Sequence, residues 1–352
     1  MGALLRIVVV LAIVSACSPA SLTPAATAAV VSVTPSATPS PTPSPTPSPT
    51  PTPSPTLRPV SDVIAQIDPA RLDAHLAALT AVGSRWVTHP GHAKAIAYLR
   101  GELAKLDVKE SEQATVYQGM PLTNIFATID PLNTAVGSTG WVLLSAHYDS
   151  TANRTPGWRP NIDPAPGADD NGTGTAGLLE IARVLSSDRS RLRSRIVLAF
   201  FDGEELFFKG SGAYMATLQK PYPYKAAINL DMVGFNPITD RLDLLWYTNN
   251  SAGLRDKTLK ANDAYGIGVT PLNAQFAADG NTIMDAAPFG IAGIPSIALC
   301  QRYGENDATF PGNYTFHTVG DTPDKITNKR LWLKAAKLTL ATALELADEP
   351  TG

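Results

Sequence analysis

The sequence has few of the residues that define several common protein classes. Only two cysteines, Cys17 and Cys300, occur in 352 residues, so a disulfide framework is excluded and the fold depends on its apolar core. The formal net charge of −3 gives no electrostatic basis for binding nucleic acid or an anionic membrane surface. The apolar run at residues 7–14 is too short for a stable transmembrane helix. Proline, by contrast, is abundant, with 30 residues concentrated near the N-terminus.

The N-terminal stretch "MGALLRIVVVLAIVSAC" is typical of a signal peptide. One basic residue, Arg6, precedes a short apolar run, and small residues follow it. The ending "VSAC" resembles a bacterial lipobox, which predicts cleavage after residue 16 and lipid attachment to Cys17. Ordinary signal cleavage near Ala16 is the alternative. We therefore expect an extracytoplasmic protein, anchored to a membrane through the lipid alone or otherwise secreted.

Residues 18–59 form a Pro/Thr/Ser-rich segment with runs such as "SPTPSPTPSPT". Alternating prolines block both helix and sheet hydrogen bonding, and the segment has almost nothing to bury. It is predicted to be a disordered, extended linker. The folded part is predicted to be one domain at residues 60–352.

Apolar strand-like runs alternate with helical patterns throughout the predicted domain. The strand-like runs are "TNIFATI", "GWVLLSAHYD", "SRIVLAFFD", "KAAINLDMV", "RLDLLWY" and "IPSIAL". Amphipathic stretches such as "GTAGLLEIARVLSS" separate them, and a long helix is expected at about residues 328–346. The pattern predicts a three-layer α/β fold, with a mostly parallel central sheet covered by helices on both faces.

Polar residues follow several of these strands, where each strand ends. His147 comes after "WVLLSA", Asp231 after "KAAINL", and the pair Glu204–Glu205 after "RIVLAFFDG". Asp170 stands in the loop before a crossover helix. The carboxyl ends of parallel strands meet at one edge of a sheet, where so many acids would repel one another without a cation. Because histidine joins the carboxylates, zinc or another first-row metal is favoured over calcium or magnesium.

Other polar residues complete the predicted site. Asp149, two residues after His147, can accept the ring N–H of that histidine and fix its tautomer. His317, before the last helix, is the candidate for a second ligating histidine if two ions bind. The remaining histidines are predicted to be helix surface (His75) or loop and cap residues (His89 and His92), and Asp202 is predicted to support the site without ligating.

Five motifs carry a resemblance to a known family. "AHYDS", "PGADDNGTG", "FFDGEE", "NLDMVG" and "FHTVGDT" occur in this order between about residues 85 and 345. The set resembles that of the co-catalytic zinc aminopeptidases, a family that also includes the animal-type glutaminyl cyclases. Each motif alone is weak evidence, but five in the family's order are specific.

The resemblance implies a site with two zinc ions and one general base. The implied ligands are His147 and Asp231 for one ion, Glu205 and His317 for the other, and Asp170 bridging both. Glu204 is the implied base. The implied activity is hydrolysis of N-terminal residues from peptides or proteins by a metal-activated water, and the alternative is a glutaminyl-peptide cyclotransferase on the same fold. The wording "FFDGEE" favours the cyclases, whereas "GADDNGTG" favours the hydrolases.

Three features depart from the family pattern. Asp285 matches, but Ala286 stands where the family commonly has histidine; Asp285 is our candidate for an acid at the cleft rim that binds the substrate's ammonium. Phe316 precedes His317 where some aminopeptidases have tyrosine, so either Tyr314 or Tyr303 takes its role or the role is absent. The long Pro-rich insert at residues 151–166 is predicted to form a rim of the cleft.

Overall fold

The computed structural model describes residues 57–132, 137, 140–277, 284–301 and 312–349. All of them belong to one compact unit, Ser54–Gly352. The predicted signal peptide, Cys17, Tyr303 and nearly all of the predicted linker lie outside the described residues. Within the described ranges, no helix is both long enough and apolar enough to span a membrane.

The described strands form a single mixed sheet. In chain order they are β1 (Lys109–Tyr117), β2 (Met120–Ile129), β3 (Trp141–His147), β4 (Ile196–Phe201), β5 (Tyr224–Asp231), β6 (Leu242–Tyr247), β7 (Leu272–Phe276) and β8 (Ser296–Cys300). Their order across the sheet is β1-β2-β4-β3-β5-β8-β6-β7. Strands β4, β3, β5 and β8 are parallel, and the antiparallel pairs lie towards the two edges. The predicted mostly parallel sheet is confirmed.

Eight α-helices accompany the sheet in the described part of the chain, and the second and third begin at side-chain caps. The helices are α1 (Val60–Ile64), α2 (Pro69–Ala81), α3 (Pro90–Leu103), α4 (Gly174–Ser187), α5 (Lys209–Thr217), α6 (Ala252–Ala264), α7 (Ala287–Ile291) and α8 (Lys329–Asp348). Asp68 accepts the Ala70 N–H at 2.8 Å, and His89 accepts the Gly91 N–H at 2.9 Å through Nδ1. Each cap precedes a proline in the first turn, where its missing N–H costs nothing.

The central strands are buried on both faces, because helices pack on each side of the sheet. On β3, Val142 and Leu144 belong to the larger core, which also contains residues of α2, α3, α4 and α8. The intervening Leu143 belongs to a second core with Phe201 and Phe289, against which Tyr214 of α5 packs. Side chains alternate between faces along a strand, so the two cores lie on opposite sides. The predicted three-layer arrangement is confirmed.

Two edge strands and one histidine were not anticipated by the sequence patterns. β1 is almost fully exposed, and β7 is short and half-buried, so neither shows a clear apolar run. The interpretation of His75 as helix surface is wrong. Its ring is buried, and Nδ1 lies 2.7 Å from the hydroxyl of Tyr98 on α3, because α3 packs over this face of α2.

Candidate metal centre

One histidine and two carboxylates meet where β3 and β5 end. His147 is the last residue of β3, and Asp231 is the last residue of β5, the strand beside it. His147 Nε2 lies 3.5 Å from Asp231 Oδ1 and 3.2 Å from Asp170 Oδ1. Neighbouring parallel strands end at the same edge of the sheet, and for this reason His147 and Asp231, 84 positions apart in sequence, come together. These side chains form the first potential ligand set.

A second set shares one carboxylate with the first. His317 Nε2 lies 3.0 Å from Asp170 Oδ2 and 2.9 Å from Glu205 Oε2. Asp170 therefore presents one oxygen to each histidine, and Asp170, Glu205 and His317 form a separate potential ligand group. A carboxylate shared in this way can bridge two neighbouring cations.

The donor atoms of both sets fit a metal. His147 Nε2, Asp231 Oδ1 and Glu205 Oε1 are buried and have no hydrogen-bond partner in the part of the chain that the structure describes. Leaving each such atom unpaired costs about 1–3 kcal/mol, so their grouping calls for a ligand. Imidazole nitrogens and carboxylate oxygens without thiolate are donors that zinc accepts. The residues present therefore fit the expected cation.

The electrostatics of the site support the same conclusion. Burial alone would lower the pKa of His147, but Asp231 and Glu204 raise it well above its ordinary value. Burial raises the pKa of Glu204 well above its ordinary value, and the neighbouring charges of Asp231 and Glu205 raise it further. Burial and the charge of Asp170 raise the pKa of Glu205 to about 7. Protons and a cation compete for these groups, and a divalent cation removes the repulsion that raises the pKa values.

Asp149 connects the first ligand set to the turn that carries Glu204 and Glu205. The Asp149 carboxylate is buried, and its Oδ1 lies 3.3 Å from His147 Nδ1. It accepts the backbone N–H groups of Glu204 and Glu205, each at 3.2 Å. One side chain therefore contacts the imidazole and positions both acids of the turn. The structure places Asp149 where the sequence predicted an orienting carboxylate.

A polar network behind Asp170 was not predicted. The Asp321 carboxylate accepts the backbone N–H of Asp170 at 3.0 Å and that of Asp169 at 3.1 Å. Asp169 accepts the Gly234 N–H at 2.9 Å and the Asn313 side-chain amide at 2.7 Å, so it braces the loop and is not in either ligand set. The peptide bond between Asp170 and Asn171 is cis. Asp321 lies within the motif "FHTVGDT", which was the available signal.

Arg85 is a second support that the sequence patterns missed. Its guanidinium is fully buried and donates to the carbonyl oxygens of Tyr148 at 2.6 Å, Pro166 at 2.5 Å and Gly167 at 2.8 Å. Burial lowers the pKa of Arg85, and nearby acids, Asp321 first, offset part of this effect. The resulting pKa is about 10, so the side chain stays charged at neutral pH. Arg85 therefore links the segment after β3 to the loop before Asp170. Nothing in its neighbourhood "GSRW" identifies this role.

Asp202 supports the turn that carries Glu204 and Glu205. One of its oxygens lies 3.0 Å from His92 Nε2, and the other accepts the Thr123 N–H at 2.7 Å. The structure thus places Asp202 as a support and not as a ligand. His92 is inside α3 and buried, and its ring stacks on Tyr148 with centroids 5.4 Å apart, so its interpretation as a loop or cap residue is wrong.

An open cleft of about 290 Å³ leads to the two ligand sets. Its described lining combines polar residues with an apolar wall: Asn153, Asp170, Glu204, Glu205, Phe207, Phe208, Asp231, Met232, Met284, Phe316 and His317. Glu204 thus faces the cleft beside the ligands. Asn153 belongs to the insert at residues 151–166, which lies at the cleft as predicted.

The structure does not bring the two predicted substrate contacts to the cleft surface. Asp285 is fully buried, because its neighbours Met284 and Ala286 pack in an apolar cluster at the start of α7. The rim position expected for Asp285 is therefore not observed. Tyr314 is 70% exposed and stands edge-on to Phe235, with ring centroids 6.0 Å apart. It is not among the described lining residues.

Comparison with known proteins identifies the family. The model of Peptidase family M28 matches residues 124–342, more than half of the chain and all of the predicted ligands. The chain belongs to Peptidase family M28. The predicted family, and with it the prediction of a peptidase-type enzyme, is confirmed.

Several known proteins resemble part or most of this M28 chain. The aminopeptidase YwaD of Bacillus subtilis is 30% identical over 202 residues, which cover 54% of this chain but only 38% of YwaD. A zinc-dependent exopeptidase from Parabacteroides distasonis has 25% identity and a TM-score of 0.62, covering 81% of this chain and 99% of its own. The glutaminyl cyclase of Porphyromonas gingivalis, at 24% identity and a TM-score of 0.64, covers 80% and 99% and shares the fold.

Proposed function

We propose that this M28 protein is a dizinc aminopeptidase that hydrolyses N-terminal residues from peptides or proteins. The observation that carries the proposal is the position of Asp170, whose two oxygens face two separate ligand sets, beside Glu204 in one cleft. The names of YwaD, an aminopeptidase, and of the Parabacteroides exopeptidase support the assignment of peptide chemistry.

In the proposed site, His147 and Asp231 would hold one zinc ion, Glu205 and His317 would hold the other, and the Asp170 carboxylate would be shared between them. When bound, the zinc pair supplies Lewis acidity that activates a water molecule and polarises the scissile carbonyl. The proton transfers of the proposed reaction are carried out by side chains of the protein.

Glu204 is the proposed general base. Glu204 and the adjacent Glu205 both line the cleft, but only Glu205 belongs to a ligand set, so the two neighbouring acids are divided between proton transfer and ligation. The Glu204 carboxylate takes a proton from the attacking water and passes it to the leaving amine. Asp149 holds the backbone N–H of Glu204 and so fixes the base relative to His147.

Metal analysis and paired assays test the proposal. The purified full-length protein is expected to contain two zinc ions per chain and to hydrolyse an amino-acid anilide. One zinc ion per chain, together with cyclisation of N-terminal Gln peptides and no hydrolysis, would instead establish the cyclotransferase alternative.

A variant pair isolates the base. Glu204→Gln is expected to keep its zinc while losing roughly 10²- to 10⁴-fold in kcat, the usual contribution of a positioned base. Glu110→Gln, on the exposed strand β1, is the matched control and should retain native activity. Full activity in a zinc-loaded Glu204→Gln protein would disprove the assignment.

We also propose that the protein is exported and lipid-anchored through Cys17. The lipobox-like ending of the apolar N-terminal stretch supports this proposal. Incorporation of a labelled fatty acid should be lost in Cys17→Ser and kept in Cys300→Ser, because these are the chain's two cysteines. Release of unlabelled native protein into the medium would indicate ordinary secretion instead.

A further inference from the structure

Unfavourable backbone conformations are concentrated at the cleft. Six described residues other than glycine have positive φ, and four of them line the cleft: Phe207 (63°), Phe208 (57°), Met232 (50°) and His317 (57°). This region is disfavoured for any residue that carries a Cβ atom. Such strain persists where surrounding structure or function requires it, and it often marks a ligand site.

For His317, Met232 and Phe208, the conformation has a reason in the fold or in the metal centre. His317 is itself a proposed ligand, and Met232 is buried directly after the ligand Asp231. Phe208 is half-buried and donates its backbone N–H to the Glu204 carbonyl at 3.0 Å, immediately before α5. Their conformations follow from contacts within the chain.

The Phe207 backbone has a similar reason, because its N–H also donates to the Glu204 carbonyl and ends the turn at Glu204–Leu206, but its side chain has none. Its side chain is 74% exposed, so the ring adds little to the apolar core. Glycine would adopt the same backbone conformation without the steric cost. A strained position that carries a large, exposed aromatic ring on a ligand cleft points to a contact with something outside the chain.

The surroundings of Phe207 indicate the chemistry of that contact. The wall of the cleft beside the ligand sets is apolar and includes Phe208, Met232, Met284 and Phe316. We propose that Phe207 is a specificity-determining residue, whose ring covers a large apolar side chain on the first residue of a peptide substrate. The inference rests on the proposed aminopeptidase function and adds to it the residue that selects the substrate.

The proposal predicts opposite effects on stability and on activity. Phe207→Gly removes both the ring and the steric strain, so Tm should stay the same or rise by about 2 °C. The kcat/KM for a leucine anilide should fall about tenfold, mainly through KM, because the lost contact is apolar burial. The kcat/KM for an alanine anilide should change less than about threefold, since its methyl group reaches little of the ring.

Two further variants separate the ring from the strain. Phe207→Leu keeps an apolar side chain in the same strained backbone and should keep the leucine preference within about threefold. Gln118→Gly is the matched control for strain, because Gln118 also has positive φ (48°), is exposed in the β1–β2 turn and does not line the cleft. It should relieve strain in the same way and leave the leucine-to-alanine ratio unchanged.

The outcomes distinguish this inference from the proposed function. If Phe207→Gly keeps the leucine preference of the native enzyme, the inference is overturned and the aminopeptidase assignment stays intact. A Tm that falls by more than about 3 °C in Phe207→Gly would show that the ring stabilises the fold, and would also overturn it. If the native protein hydrolyses no anilide, the proposed function fails first and the inference fails with it.

Discussion

Replacing Arg85 with methionine tests how the metal centre is supported. Methionine fills a similar length but donates nothing, so the carbonyls of Tyr148 and Pro166 lose their partner, whereas the Gly167 carbonyl keeps the Gly172 N–H. A buried carbonyl left unpaired costs about 1–3 kcal/mol, which sums to about 2–6 kcal/mol for the two. Relief of the buried guanidinium's desolvation offsets part of this, so we expect a loss of about 2–4 kcal/mol in unfolding free energy.

The loss should depend on zinc. Arg85 is a buried positive charge near Asp149, Asp170 and Glu205, and its removal leaves their charges less compensated. Bound zinc compensates the same carboxylates, so Arg85→Met should destabilise the chelator-treated protein more than the zinc-loaded protein. Chemical denaturation of both forms measures the two losses.

A surface arginine provides the control for Arg85→Met. Arg193 is mostly exposed and pairs with Asp348 at 3.3 Å, so Arg193→Met should cost no more than about 1 kcal/mol. If Arg85→Met costs less than about 1 kcal/mol in both metal states, the three carbonyl bonds are not holding the site, and our reasoning is refuted.

Substitutions at Asp149, Asp321 and His75 test other buried contacts. Asp149→Asn should weaken zinc affinity roughly 10- to 100-fold in a chelator competition, because it no longer orients His147, and a change below threefold would contradict this role. Asp321→Asn should lower Tm and zinc affinity together, because it weakens acceptance of the Asp169 and Asp170 N–H groups; loss of either property alone would argue against a support shared by fold and site. Burial lowers the pKa of His75 below its ordinary 6.5, so the unfolded chain takes up this proton first as pH falls below that value and stability declines. The stability difference between pH 7 and pH 5, measured by denaturation, should therefore be smaller in His75→Gln than in the native protein.

The parts of the site that follow strands could be predicted from the sequence. His147 and Asp231 are the final residues of β3 and β5, which are apolar, parallel and adjacent. Periodicity identifies such strands, and the rule that ligands bind at their carboxyl ends then brings the polar residues together. His317 directly follows none of the described strands; it was the remaining histidine candidate before the last helix, and the resemblance of its motif then supported it.

The supports behind the ligands could not be predicted in the same way. Arg85 contacts Gly167 across 82 positions, and His92 contacts Asp202 across 110. Neither contact leaves a periodic pattern, because each depends on how the N-terminal helices pack over the sheet. Asp285 shows the converse: its motif suggested a cleft residue, yet the packing of Met284 and Ala286 buries it. Tertiary packing decides whether a single acid is buried, and the local sequence gives little information about that packing.

Among the described residues, polar groups behind the ligands have hydrogen-bond partners, whereas several polar atoms that face the cleft do not. Behind the ligands, Asp169, Asp321 and Arg85 make several hydrogen bonds each, and their backbone partners are paired. On the cleft side, buried ligand atoms lack partners and positive-φ residues cluster. Fully paired networks make a framework rigid, whereas unpaired buried polar atoms cost free energy that a bound group can recover. The framework therefore holds the cleft in a conformation that is complete only with metal and substrate, as preorganised catalysis requires.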